Sequence, residues 1–142
     1  MQPPAMNVEQ LEDFLRREFP QFFHPKSGLT IEDVRHCGAR VRQAYSTQFL
    51  RPGGTISGPT MMALADFALY AAVLATIGPV PLAVTTNFSI NFLRKPAARD
   101  LIADCRLLKV GKRLAVGEVA LRSDGGEEMV AHVTSTYSIP IR

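Results

Sequence analysis

Apolar residues recur along this chain with two different periods. Between Asn7 and Pro20 they return every three or four positions, which is typical of a short amphipathic helix that Asn7 caps and Pro20 ends. Over residues 84–92 apolar and polar side chains alternate, and this pattern predicts a β-strand with one buried face. Less regular patterns predict further strands over residues 29–34, 39–45, 101–110, 114–121 and 129–138.

The segment from Ser57 to Ile77 is apolar on nearly every side, and Asp66 is its only charged residue. Ser57 is a favourable N-cap, while Gly78 and the proline after it end the helix. A helix without a polar face has to be enclosed by the rest of the protein. We therefore predict an α+β fold in which a curved antiparallel sheet wraps around one long hydrophobic central helix.

The same segment reaches the lower limit of length for a membrane span. Asp66 would cost about 2.5–3.5 kcal/mol at the centre of a bilayer, and no cluster of lysine or arginine flanks the segment. The N-terminus has no basic stretch followed by an apolar one, so it does not resemble a secretory signal. We expect a cytoplasmic protein that makes no contact with membranes.

Length and composition are those of one folded domain. Of the 142 residues, 46% are hydrophobic and 20% are charged, which excludes a disordered chain. We expect residues 1–28 to form a loose tail and the short helix, and residues 29–142 to form the single domain. The net charge of +3 is too small to indicate a nucleic-acid partner.

The cysteines and histidines do not have the spacing of a metal site. Cys37 and Cys105 also lack the pattern of a disulfide framework, and we expect both to be small core residues in strands. The sequence therefore predicts no metal ion.

Asp66 is the main candidate for chemistry, because an unpaired carboxylate among apolar residues is costly. It must face a partner, a cavity or an interface. One interpretation is structural, with the carboxylate bound by backbone N–H groups or by a hydroxyl on a neighbouring strand. The other is functional, with Asp66 as a catalytic base or nucleophile beside an apolar pocket.

Two stretches of the chain carry a family resemblance. Residues 54–68 (GTISGPTMMALADFA) and 85–96 (TTNFSINFLRKP) resemble hotdog-fold acyl-CoA thioesterases of the phenylacetate-degradation type. The resemblance covers about residues 40–138. It implies the hotdog fold, hydrolysis of an acyl-CoA with a small or medium acyl group, aryl-acyl included, and no cofactor. It also implies a homodimer or a dimer of dimers, because the strand after the family's central helix pairs across a twofold axis.

The resemblance assigns roles to three residues. Asp66 matches the family's acid, and Gly58 matches the glycine whose backbone N–H polarises the thioester carbonyl. Thr85 matches a serine or threonine that assists the attacking water. Strict alternation points Thr85 away from the face that carries Phe88 and Ile90, so either the strand is irregular there or the pocket lies on the other side.

Two family positions are changed in this chain. Ser57 stands where the family usually has histidine, and Arg51 stands where many members have asparagine. Both remain candidates for substrate contact.

Arg94 and Lys95 are our candidates for the phosphates of CoA, with solvated strand ends as the alternative role for such cations. Met62 and Tyr70 are candidates for the acyl pocket, although core packing is the alternative for residues of this helix.

Gly58 and Asp66 cannot contact the same thioester within one chain. Eight residues separate them, which corresponds to about 12 Å along a helix and to directions roughly 80° apart. If both act, they come from different subunits, and the active site lies across a dimer interface.

A non-catalytic hotdog protein that binds acyl-CoA is the alternative function. A hydratase or dehydratase of the same fold is disfavoured. Those enzymes resemble an arrangement with histidine five residues after the aspartate, and the residue five positions after Asp66 is alanine.

Overall fold

A computed structural model describes residues 2–141 and contains two α-helices, a short 3-10 helix and six β-strands in that part of the chain. The predicted helices and strands are all present, and the predicted strand boundaries differ from the observed ones by at most two residues. The helices are α1 (Val8–Glu18) and α2 (Gly58–Ile77), with the 3-10 helix at Thr47–Phe49, and the strands are β1 (Leu29–Arg35), β2 (Gly38–Gln43), β3 (Val84–Phe92), β4 (Leu101–Val110), β5 (Leu114–Ser123) and β6 (Met129–Ser138).

The six strands form one antiparallel sheet in the order β1-β2-β4-β5-β6-β3. The helix α2 packs against this sheet and is buried continuously from Phe67 to Thr76. Side chains on one face of the strands, such as Val119 of β5 and Val133 of β6, are fully buried in the same core. The predicted α+β architecture with a central hydrophobic helix is confirmed.

Local hydrogen bonds hold both ends of α2. The Ser57 hydroxyl accepts a hydrogen bond from the Thr60 N–H, and the N–H of Gly78 donates to the Leu74 carbonyl. Within residues 2–141, α2 is the one helix long and apolar enough to cross a membrane, yet 72% of its most apolar stretch is buried inside the protein. The sequence interpretation of α2 as an enclosed core helix is therefore confirmed.

The sequence indicated a loose tail before α1, but in the structure part of this segment packs against α2. The N–H groups of Ala5 and Met6 both donate to the Ala75 carbonyl near the end of α2, at 2.6 and 3.3 Å. Met6 is buried, and α1 places Leu11 and Leu15 fully inside the common core. Residues 5–18 thus pack on the same helix that the sheet encloses.

One cysteine differs from expectation. Cys105 lies buried in β4, where burial raises the pKa of its thiol to about 12. Cys37 lies instead in the turn between β1 and β2, half-buried and with a positive φ of 66°. No group of three or more His, Cys, Asp or Glu residues that could hold a metal is found between residues 2 and 141.

Candidate active site

The Asp66 carboxylate is held by hydroxyl groups from two neighbouring strands. Thr85 Oγ1 on β3 donates to Asp66 Oδ1 at 2.6 Å. The Tyr137 hydroxyl on β6 lies 3.1 Å from the same oxygen and 3.1 Å from the Asp66 carbonyl oxygen. Asp66 itself is only half-buried and lines a cleft. The structural interpretation predicted a bond to a hydroxyl on a neighbouring strand, and the functional one predicted a place beside a pocket. The Asp66 carboxylate has both.

A β-bulge explains how Thr85 reaches the carboxylate. Thr85 pairs with Tyr137 on β6, whereas Asn87 pairs with Thr136, so β3 has one extra residue between these two pairs. An extra residue reverses the alternation of side chains along a strand. Thr85 consequently shares a face with Phe88, and the strand is irregular at the point where the sequence left two possibilities open.

The Asp66 cleft, as we call the cavity around this carboxylate, has a volume of about 330 Å³. Its wall is largely aromatic, because the end of α1 and the following loop pack their rings against α2. Phe19 and Phe22 stack with ring centroids 5.6 Å apart, and Phe22 lies 5.2 Å from Phe67. The lining residues are Glu18, Phe19, Phe22, Ala63, Asp66, Phe67, Tyr70, Pro81, Ala83, Val84, Thr85 and Tyr137.

The two tyrosines of this cleft remain protonated in the folded protein. Burial raises the pKa of Tyr137 far above its usual range, and the negative charge of Asp66 raises it further. Burial also raises the pKa of Tyr70, with a smaller contribution from Glu18. Tyr70 donates its hydroxyl hydrogen to the Pro81 carbonyl at 2.9 Å, and its ring stacks on that of Tyr137. Both phenols are therefore fixed hydrogen-bond donors.

A second cleft, here named the Gly58 cleft, lies at the start of α2 and has a volume of about 480 Å³. Gly58 is the first residue of the helix, and its N–H donates to no protein acceptor within residues 2–141. The Phe92 ring covers the glycine, since a Cβ built on Gly58 would lie 3.2 Å from Phe92 Cζ. The cleft is lined by Arg51, Thr55, Ile56, Gly58, Met61, Phe92, Leu93, Arg94, Lys95 and Pro96.

Three cations line the Gly58 cleft. Arg94 pairs with Glu128 and also donates to the Met129 carbonyl at 2.9 Å. The side chains of Arg51 and Lys95 form no ion pair with any acidic residue of the described chain. The N-terminus of α2 adds its partial positive charge, so this cleft is suited to an anionic ligand.

The site residues predicted from the sequence separate into two groups. Asp66, Thr85 and Tyr70 meet in the Asp66 cleft, whereas Gly58, Arg51, Arg94 and Lys95 meet in the Gly58 cleft. The structure places two further candidates outside the lining of either cleft. Ser57 bonds Thr60 at 2.8 Å between the hydroxyl oxygens, and Met62 lies on the surface of α2 with 39% of its area exposed.

Sequence reasoning missed Tyr137, Phe19 and Phe22. The sequence predicted a strand over residues 129–138, and the structure buries Tyr137 on the inner face of that strand. No local pattern indicated that this ring lies opposite Asp66, which is 71 positions away in the sequence. Phe19 and Phe22 lie around the end of α1, in a segment that we had not connected with the site.

Comparisons with known proteins agree on one family. Residues 53–130 match the model of the thioesterase superfamily. The crystal structure of a "putative thioesterase" from a Silicibacter species superposes with a TM-score of 0.87 at 45% identity, covering 96% of this chain and 94% of that one. A "putative esterase" of Saccharolobus solfataricus is 25% identical over 96% of this chain and 87% of its own length.

A third similar protein is the phenylacetic acid degradation protein PaaI from Thermus thermophilus, in its N33D mutant form. It is 26% identical with a TM-score of 0.71, over 80% of this chain and 94% of that one.

Proposed function

This chain belongs to the thioesterase superfamily, and we propose that it hydrolyses acyl-CoA thioesters at an active site shared by two subunits. The observation that carries the proposal is the pair of complementary clefts. One holds a carboxylate bound by a threonine hydroxyl, and the other holds a free N–H group at a helix start beside unpaired cations. Together they supply the groups that thioester hydrolysis needs.

The proposed chemistry begins at the carbonyl oxygen of the thioester. Attack on the carbonyl carbon builds negative charge on that oxygen, which the Gly58 N–H and the positive end of α2 stabilise. Asp66 either removes a proton from the attacking water or attacks the carbonyl carbon itself to form an anhydride that water then hydrolyses. In both cases the carbon–sulfur bond breaks, and the products are a carboxylic acid and the free thiol of CoA.

A twofold axis through β3 would bring the two clefts together. The Asp66 cleft adjoins the start of β3 at Val84, and the Gly58 cleft adjoins its end at Phe92. Antiparallel pairing of β3 with its copy, centred on Phe88, sets Val84 of one subunit beside Phe92 of the partner subunit. Val84 and Phe92 are 56% and 50% exposed at this sheet edge, which supports its use as an interface.

The two clefts suit the two ends of an acyl-CoA. The aromatic wall of the Asp66 cleft suits a small, medium or aryl acyl group, and its volume of about 330 Å³ is at the lower end for ligand pockets. Arg51 and Lys95, with Arg94 beside them, suit the phosphates of the nucleotide.

Binding without hydrolysis is the second candidate function. It is favoured by the changes at Ser57 and Arg51, where the family usually carries groups that contact the thioester. Ser57 uses its hydroxyl to cap α2 rather than to face the Gly58 cleft.

The proposal is tested with Asp66→Asn, which keeps the oxygen that accepts from Thr85 but removes the base and nucleophile. We expect kcat for release of free CoA from a panel of acetyl-, hexanoyl- and phenylacetyl-CoA to fall by about 10²–10⁴-fold. Asp13→Asn on the exposed side of α1 is the matched control and should keep the activity of the original protein.

Turnover that is unchanged in Asp66→Asn would contradict the proposed mechanism. Binding of acyl-CoA with no turnover by the unsubstituted protein would instead establish the non-catalytic alternative.

A further inference from the structure

Both hydroxyl groups that reach the Asp66 side chain bind the same oxygen. Thr85 Oγ1 is 2.6 Å and the Tyr137 hydroxyl 3.1 Å from Oδ1. Within residues 2–141, Oδ2 accepts no hydrogen bond from the protein. The two oxygens of one carboxylate are therefore in different environments, one bound by protein and the other open to the cleft.

We propose that Tyr137 is a positioning residue that fixes the Asp66 carboxylate so that Oδ2 alone acts on the thioester or on the attacking water. This inference rests on the proposed function, because it assigns a task to one residue of that site. A carboxylate bound by one donor can turn about its last side-chain torsion, whose preferences are broad. A second donor on Oδ1 from another direction limits this rotation.

The Tyr137 hydroxyl is well placed to act as this second donor. It also lies 3.1 Å from the Asp66 carbonyl oxygen, so the phenol is anchored to the backbone of α2 as well as to the side chain. Its single proton is shared between these two acceptors. The cross-strand pairing of Thr85 with Tyr137 puts both donors on one face of the sheet, and the bulge in β3 makes that possible.

The surroundings of Tyr137 keep its ring in one orientation. The residue is 3% exposed, and its ring stacks on Tyr70 with centroids 6.1 Å apart and planes 21° from parallel. Because burial and the nearby carboxylate both oppose ionisation, the phenol keeps its proton throughout the pH range of an assay. A rigid, permanently protonated donor suits a positioning role better than proton transfer.

The test is Tyr137→Phe, which removes the hydroxyl and keeps the ring in its packing. We expect kcat for the best substrate of the acyl-CoA panel to fall by about 10–100-fold, with KM changed less than about 3-fold, because misplacement affects the reacting geometry more than binding. Tyr45→Phe, at a half-buried tyrosine outside both clefts, is the matched control and should leave kcat unchanged.

A double-mutant cycle with Thr85→Val separates positioning from general loosening of the fold. Two donors to one oxygen act as a unit, so the double variant should be about as slow as the slower single variant, whereas independent losses would multiply. Thermal unfolding and circular dichroism confirm that each variant is folded.

The inference is overturned if folded Tyr137→Phe keeps full kcat, or if the two losses multiply. If Asp66→Asn is inactive, either of these two results overturns the role of Tyr137 but leaves the proposed thioesterase function intact. If Asp66→Asn is fully active, the proposed function itself fails.

Discussion

At the scale of single residues, Gly58 combines a free backbone N–H with a close neighbour, the Phe92 ring. Its N–H is a free donor in the first turn of α2, and the absence of a side chain leaves only the Phe92 ring above it. Phe92 is half exposed at the end of β3, so its ring borders the side of Gly58 on which a side chain would stand.

We predict that Gly58→Ala lowers kcat/KM by about 10–100-fold, because a methyl group would crowd the Gly58 cleft beside the N–H donor. The new Cβ would lie 3.2 Å from Phe92 Cζ, and the exposed ring can give way. Melting temperature should therefore change little. Full activity in the variant would remove Gly58 from the list of oxyanion donors.

At the scale of elements, the contact between α2 and the sheet depends on a glycine in β5. A Cβ on Gly117 would lie 2.7 Å from Leu69 Cδ1 and 3.0 Å from Leu107 Cδ2, with the Arg106 carbonyl oxygen at 3.2 Å. The helix thus approaches β5 more closely than a side chain at this position would allow.

We predict that Gly117→Ala lowers the free energy of unfolding by about 1–3 kcal/mol, since the added methyl group overpacks the contact between α2 and β5. Denaturant unfolding measures the change. Gly111→Ala in the β4–β5 turn is the control, because its Cβ would meet only the Leu114 carbonyl oxygen at 3.4 Å. Equal stabilities of the two variants would contradict the packing argument.

At the scale of the whole molecule, strand order leaves β3 at one edge of the sheet with the two clefts at its ends. One subunit therefore carries both halves of the proposed site without joining them. Pairing of β3 edges would complete two sites per dimer, each with Asp66 from one subunit and Gly58 from the other. Oligomerisation and activity would then be inseparable.

Subunit mixing tests this arrangement. When Asp66→Asn and Gly58→Ala subunits, each with low activity alone, are mixed equally, half of the dimers are hybrids with one intact site of two. Activity should then rise above that of either variant, to about a quarter of the original. Mixing Asp66→Asn with the Asp66→Asn/Gly58→Ala double variant is the control, and it should recover nothing. Absence of recovery in exchanged dimers would contradict the shared site.

Local patterns in the sequence were sufficient for much of this molecule. The enclosed helix α2 follows from a run without a polar face, and its ends follow from Ser57 and Gly78. The alternation over residues 84–92 placed β3, and the position of Asp66 within an apolar helix identified it as the residue to explain. These features depend on neighbours within a few positions, and the sequence records them directly.

Only the tertiary structure decided what surrounds Asp66. The bulge in β3, the hydroxyl of Tyr137 and the aromatic wall from α1 come from segments that are distant in the sequence. Docking of Ala5 and Met6 on the end of α2 is likewise a long-range contact. A periodic pattern defines which face of an element is apolar but not which residue of another element lies against it. That choice is made when the sheet closes around the helix, because only then do strand register and packing fix the contacts.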